Sequence, residues 1–164
     1  MISKDGIKES LFDTLGAKDR DWSKKLGLAT YKILYYFTES LIAAGKSAIV
    51  ESNFKAESAS AVFLDLQKKY DFTAIQIMCR TEGKVLMERF RKRVESGERH
   101  PGHVDQSNYD EIRDILLRGY HDPLDIPGKI IDIDTTVFES IDYKKLFQDI
   151  RTDSRSRMPA ETAA

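Results

Sequence analysis

Cysteine is almost absent from this 164-residue chain: Cys79 stands alone, which excludes an intramolecular disulfide framework and any four-thiolate zinc site. Neither sign of charge is in excess. The 26 Lys and Arg against 27 Asp and Glu leave a formal charge of −1, which argues against a generic nucleic-acid coat or a polybasic membrane binder, though not against a local basic site. No apolar run approaches the ~18 residues of a membrane span, and Met1-Ile2-Ser3-Lys4-Asp5 has no signal-peptide pattern. No internal repeat is found. What is present suffices for one domain: 41% apolar residues can build a core and 32% charged residues keep the surface wet. The expectation is a soluble, cytoplasmic protein of a reducing compartment.

Periodicity predicts a short helix over Ser3–Leu15, capped by Asp5 and stopped by Gly16, then a long amphipathic helix from about Asp21 to Ala44. The inward stripe of the long helix is read as Leu26, Thr30, Ile33, Phe37, Leu41 and Ala44. Ser47–Glu51 suits a buried parallel strand, and a helix with Val62, Phe63, Leu66 and Tyr70 inward follows. Phe72–Cys79 is the clearest strand. Helix signals resume at Thr81-Glu82 and run to about Val94. Ser96–Asn108 reads as a mobile loop, Tyr109–Leu117 as a polar helix, Lys129–Thr135 as the last strand, and Tyr143–Ile150 as the last helix. Thr152–Ala164 reads as a frayed tail. Strands alternating with long helices make this an α/β chain with a mainly parallel sheet.

In such sheets ligands gather at the carboxyl ends of the strands, which directs attention to Glu51-Ser52-Asn53, Cys79-Arg80-Thr81 and Asp134-Thr135-Thr136. Asp5 and Lys8 stand one turn apart near the chain start. Asp5 could accept a proton from a hydroxyl or hold a magnesium-bound water; spacing alone favours a helix cap with a solvated lysine. From Arg80 to His100 there are seven cations (Arg80, Lys84, Arg89, Arg91, Lys92, Arg93, Arg99) and four anions (Glu82, Glu88, Glu95, Glu98). Arg89 and Arg93, four apart, suit a guanidinium clamp on phosphate oxygens as a lid closes, although composition alone favours a solvated helix face with Glu–Lys/Arg pairs. His100, His103 and Asp105 are a weaker candidate metal set, since Pro-Gly between the histidines suits a turn and no fourth ligand stands out. Ala44-Gly45-Lys46-Ser47 resembles the end of a phosphate loop, G-x-x-x-x-G-K-[ST]. The first glycine of that pattern is replaced by Ser40, and the context is inverted, because a phosphate loop leaves a strand and opens a helix. Gly45-Lys46 is a helix stop.

Taken in order, Ile2-Ser3-Lys4-Asp5-Gly6-Ile7-Lys8, Ala48-Ile49-Val50-Glu51-Ser52-Asn53-Phe54, Arg89-Phe90-Arg91-Lys92-Arg93 with Gly97-Glu98-Arg99-His100-Pro101-Gly102-His103, and Ile131-Asp132-Ile133-Asp134-Thr135 carry a likeness over roughly Ile2 to Ile150. The chain resembles the small P-loop kinases of the AAA-family ATPase type, a group that includes the polynucleotide kinase, chloramphenicol phosphotransferase and zeta toxin types. The resemblance implies a three-layer, P-loop NTPase-like parallel sheet flanked by helices over 1–151, a lid over about 80–108, and a tail over 152–164. It implies that Asp5 accepts the proton of an acceptor hydroxyl or orients it, with Lys8 near the acceptor or its phosphate. Glu51 would stand close to metal and substrate, with Asn53 beside it, and Arg89 and Arg93 would touch the phosphates of Mg-ATP. The family opens with a strand, a G-x-x-x-x-G-K-[ST] loop and a helix, about 30 residues that are expected before Ile2. On this expectation the first strand, phosphate loop and first helix are missing, two sheet edges are left unpaired, and Met1 is an internal or misassigned start or marks a truncated gene.

The leading expectation is an ATP-dependent kinase that moves a phosphoryl group from Mg-ATP to a hydroxyl on a small molecule or nucleic-acid end, its activity in doubt without a phosphate loop. The alternatives are a non-catalytic binding or regulatory remnant of such a kinase and, behind both, a metal hydrolase using His100, His103 and Asp105. Acceptor specificity is expected in the helical segment Asp13–Leu41.

Overall fold

The computed structural model describes residues 1–97, 100–103 and 109–155. Elements follow in the order β1 (Ile2–Ser3), α1 (Lys4–Leu15), α2 (Arg20–Ala43), β2 (Val50–Glu51), α3 (Ala56–Tyr70), β3 (Ile75–Arg80), α4 (Gly83–Glu95), α5 (Tyr109–Arg118), β4 (Lys129–Asp134) and α6 (Tyr143–Arg155), with 3-10 turns at Pro101–His103 and Phe138–Ser140. The chain divides into two compact units, Met1–Phe54 with Glu82–Gly119, and Lys55–Thr81 with Tyr120–Ala164.

In the first unit β1 pairs in parallel with β2, Ile2 opposite Val50 and Ser3 opposite Glu51. β1 is an addition to the expected strands, and only the last two residues of the expected Ser47–Glu51 strand pair with a neighbour. Ser3, rather than Asp5, caps α1, its hydroxyl accepting from the Gly6 N–H, and Asp5 falls in the first turn, where a carboxylate suits the helix dipole. Asp19 caps α2 through the Trp22 N–H at 2.8 Å.

The buried stripe of α2 is Ser23, Leu26, Thr30, Leu34 and Thr38, not the expected row through Ile33, Phe37 and Leu41. Phe37 is half exposed. The row turns because threonine can be buried at no hydrogen-bond loss in a helix. Thr30 and Thr38 donate to the carbonyls of Leu26 and Leu34, each at 2.7 Å. Phe12 of α1 and Leu26 and Leu34 of α2 are buried with this row.

In the second unit β3 and β4 pair in parallel over six positions, from Ile75 opposite Lys129 to Arg80 opposite Asp134. The strand begins three residues later than expected and continues through Arg80. Gln76 holds the chain entering β4 by donating to the Leu124 carbonyl (3.0 Å) and accepting from the Leu124 N–H (2.7 Å). Ala59, Phe63 and Leu66 form the buried face of α3. α6 runs to Arg155, beyond the expected end at Ile150; residues 156–164 of the expected tail lie outside the described residues. Among the described residues each sheet has two strands, and no helix is long and apolar enough to cross a membrane.

Gly83, the first residue of α4, lies against the last turn of α5. A Cβ at Gly83 would collide with the Leu117 carbonyl oxygen, a backbone atom that cannot rotate away. Gly83→Ala is expected to lower stability by about 1–3 kcal/mol, read as a fall in the urea midpoint at unchanged m-value. An unchanged midpoint would show that α4 and α5 do not pack this closely.

Candidate functional site

The parallel β1–β2 register carries two sequence-distant carboxylates to the same end of a strand pair. Ser3 and Glu51 lie side by side although 48 positions apart, and the Ser3 hydroxyl donates to Glu51 Oε2 at 2.8 Å. Asp5 follows two residues after Ser3, half-buried, with its Oδ1 on the Lys4 ammonium at 3.1 Å. Asn53 follows two residues after Glu51. Its Oδ1 lies 3.4 Å from the Tyr31 hydroxyl, which also accepts from the Ser52 hydroxyl at 3.2 Å. Asp5, Glu51 and Asn53 therefore stand at the carboxyl ends of neighbouring strands, the place where ligands gather in parallel sheets.

Lys8 sits differently. It is buried, its ammonium donating to Ser23 Oγ at 2.9 Å and lying 5.4 Å from the centre of the Phe12 ring. Ser23 passes the connection on by donating to the Gly102 carbonyl. The expected mobile loop is thus pinned at Pro101–His103. Phe12 stacks on His100 (5.6 Å, 16°) and meets His103 edge-on (6.3 Å, 67°), while Gly102 lies so close that a Cβ would enter the Phe12 ring. The Gly102 N–H donates to His100 Nδ1, which leaves Nε2 to carry the proton offered to Asp13 at 3.1 Å. His103 Nε2 lies 3.0 Å from Glu9 Oε1. The two imidazoles engage carboxylates one turn apart on α1. Among the described residues no three His, Cys, Asp or Glu side chains gather as a metal site; Asp105, the third member of the candidate set, lies outside the described residues.

Arg89 and Arg93 sit one turn apart on α4, and the Arg93 guanidinium lies 5.7 Å from the Phe90 ring centre. Between them, Arg91 engages Glu88 and Glu95, and Lys92 engages Glu88. The Arg91 hydrogen bond, with the charges of Arg91 and Lys92, holds the Glu88 carboxyl below its ordinary pKa. Arg99 and Glu98 lie outside the described residues.

Gly45-Lys46 ends α2 as a two-bond C-cap. The Gly45 N–H donates to Ile42 and the Lys46 N–H to Leu41, both at 2.9 Å, with Gly45 at φ 67°. A phosphate cradle needs those N–H groups pointing at the anion; here both are spent on helix carbonyls.

In the second unit, the carboxyl ends of β3 and β4 bring Thr81 and Thr135 together, their hydroxyls 2.7 Å apart, while Arg80 pairs with Asp132 and lies 4.9 Å from the Tyr120 ring centre. Asp134 accepts from the Thr136 hydroxyl and backbone N–H, which lowers its pKa below the ordinary carboxylate range. Sequence reasoning found the strand ends but missed the roles of Ser3, Phe12 and the two histidines. The i, i+4 pair Tyr31/Tyr35, outside the expected inward stripe, is a signal the sequence offers.

Parallel strand pairs alternating with helices, with carboxylates at the strand ends, make this an α/β protein, and the comparisons give it a P-loop kinase-like fold. An AAA domain family model matches residues 1–116, and the chain belongs to that family. Among solved structures it is similar to a candidate kinase from Chloroflexus aurantiacus, with 37% sequence identity over 92% of this chain and 82% of that chain, at a TM-score of 0.85. No curated protein matches the sequence.

Thr136→Val is expected to raise the Asp134 pKa, because it removes the hydroxyl that favours the charged form. A folded pKa below the unfolded value contributes stability that is present above the unfolded value and lost as pH falls through the folded one. Carboxyl-carbon NMR titration reads the shift; an unmoved Asp134 would refute the Thr136 contact.

Proposed function

We propose that the chain is a kinase-like protein whose acceptor site lies at the carboxyl ends of β1 and β2, and that its chemistry is phosphoryl transfer from Mg-ATP to a hydroxyl. The observation that carries this reading is the pairing of Ser3 with Glu51 at the ends of β1 and β2, which leaves Asp5 two residues beyond the paired end of β1. Phosphoryl transfer requires positioning and cations at the phosphate oxygens more than covalent catalysis. Asp5 would take or orient the hydroxyl proton, and Asn53 would hold a polar group of the acceptor. Glu51 is the carboxylate suited to a hydrated Mg²⁺, which when bound supplies positive charge at the phosphate oxygens. Arg89 and Arg93 would contact those oxygens from α4. Lys8, with its ammonium on Ser23, would act by holding α1 on α2 beneath Asp5 rather than by touching the acceptor. A cytoplasmic setting suits the lone thiol of Cys79.

A second reading is favoured by one observation. The only G-K-S sequence is a helix cap with its N–H groups spent, so Gly45-Lys46-Ser47 does not fit a triphosphate. On that reading the chain binds an acceptor-like ligand without turnover.

Two measurements separate the readings. With Mg-ATP and an accepted alcohol, Asp5→Asn should cut transfer by about 10²–10⁴-fold while leaving the upward shift of the melting temperature by Mg-ATP in place. Arg93→Ala should weaken ATP binding far more than adenosine binding. A parent chain that melts identically with and without Mg-ATP and transfers nothing supports the second reading and overturns the first.

A further inference from the structure

Beside the carboxylates stands a group of aromatic rings that the transfer chemistry does not use. Tyr31 and Tyr35, one turn apart on α2, stack at 5.9 Å and 29°; Tyr35 and Phe54 stack at 6.5 Å and 18°; Tyr31 and Phe54 lie 6.4 Å apart. All of these rings are partly open to solvent, whereas the core of the same helix is closed by Ser23, Leu26, Thr30, Leu34 and Thr38.

The group is joined to the site at both ends. The Lys4 ammonium lies 5.9 Å from the Tyr31 ring centre and 3.1 Å from Asp5 Oδ1. At the other end, Phe54 follows Asn53 directly, and the Tyr31 hydroxyl is tied to Ser52 and Asn53. That tie fixes the polar tip of Tyr31 beside Ser52 and Asn53. Burial, with the neighbouring Tyr31, raises the Tyr35 phenol pKa. The Tyr35–Phe54 separation is too small to admit a ring between them, since two stacking gaps need about 7 Å. A ligand ring must therefore lie on the outer face of the wall.

Resting on the acceptor-site reading above, we propose that the acceptor is an alcohol bearing a planar aromatic ring, stacked on the Tyr31/Tyr35/Phe54 wall so that its hydroxyl reaches Asp5. The shared chemistry is a π face a few bonds from a hydroxyl, as in an aryl alcohol or a nucleoside. Ring stacking is edge- and face-specific, so a saturated ring of equal bulk gains only the apolar contact.

The test is binding to the full chain without nucleotide, followed by saturation-transfer NMR and calorimetry, with 2-phenylethanol, uridine and 2-cyclohexylethanol as probes. The expected result is binding of 2-phenylethanol, uridine or both, at least about fivefold tighter than 2-cyclohexylethanol. The tighter of the two aromatic probes identifies the source. Tyr35→Leu and Phe54→Leu, each checked for native circular dichroism, should each lose that preference, whereas Tyr31→Phe, which keeps the ring, should retain it. Equal binding of the saturated probe, no binding of either aromatic probe, or an unchanged preference in both leucine variants overturns the proposal. Because nucleotide is absent, a failure of phosphoryl transfer leaves this result standing. Transfer confined to aliphatic alcohols would overturn the wall and leave the kinase reading intact.

Discussion

The first unit depends on the parallel closure of β1 onto β2. The Ile2 N–H donates to the Ile49 carbonyl at 2.8 Å, and the pairing continues to Ser3 opposite Glu51. Two short strands contribute little energy by themselves, and ordering the long crossover costs conformational entropy. The closure holds because α1 and α2 pack on each other within the crossover and because the Gly45 cap turns the chain out of α2 at the right point. Register has consequences for function: a slip of one residue would carry Glu51 to the opposite face and away from Ser3 and Asp5. The strand pairing is thus weak in energy and decisive in geometry.

The packing that supports it is unusually polar. Lys8, Ser23, Thr30, Thr38 and His103 are all buried. Each has a partner: Lys8 donates to Ser23, Ser23 to Gly102, the threonines to their own helix, and His103 meets Glu9. A satisfied buried network specifies one arrangement of α1, α2 and the Pro101–His103 turn more narrowly than an apolar core of equal size. It also explains why a lysine in an apparently functional position faces inward. The ammonium supports the helix that carries Asp5, and the acceptor end is left to Asp5, Glu51 and Asn53.

Much of this was legible in the residues. Alternation of strands and helices yielded the parallel α/β class, and the order of four short stretches carried the resemblance to the kinase-like family. Gly45-Lys46 was recognisable as a helix stop because its context was inverted. The buried face of α2 was not legible, since hydropathy ranks Phe37 above Thr38 whereas close helix packing favours the smaller residue that can satisfy its own hydroxyl. β1 was hidden because two residues carry no periodicity. The His-Pro-Gly-His turn looked mobile by composition, and its fixed place comes from long-range contacts with Phe12, Glu9 and Asp13. Local pattern cannot report contacts of that separation.

The β1–β2 register is tested most directly by cross-linking. In a Cys79→Ser background, Ser3→Cys with Glu51→Cys places two thiols on paired residues of neighbouring parallel strands. Their Cα atoms, about 4.8 Å apart, fall within the range of about 4.4–6.8 Å that a disulfide spans. Ser3→Cys with Val50→Cys puts the second thiol on the other face. The account predicts rapid disulfide formation in the first pair and little in the second, read by thiol titration and mass spectrometry. Failure of the first pair to close, or faster closure of the second, would contradict the register and with it the placement of Asp5 and Glu51 at the ends of paired strands.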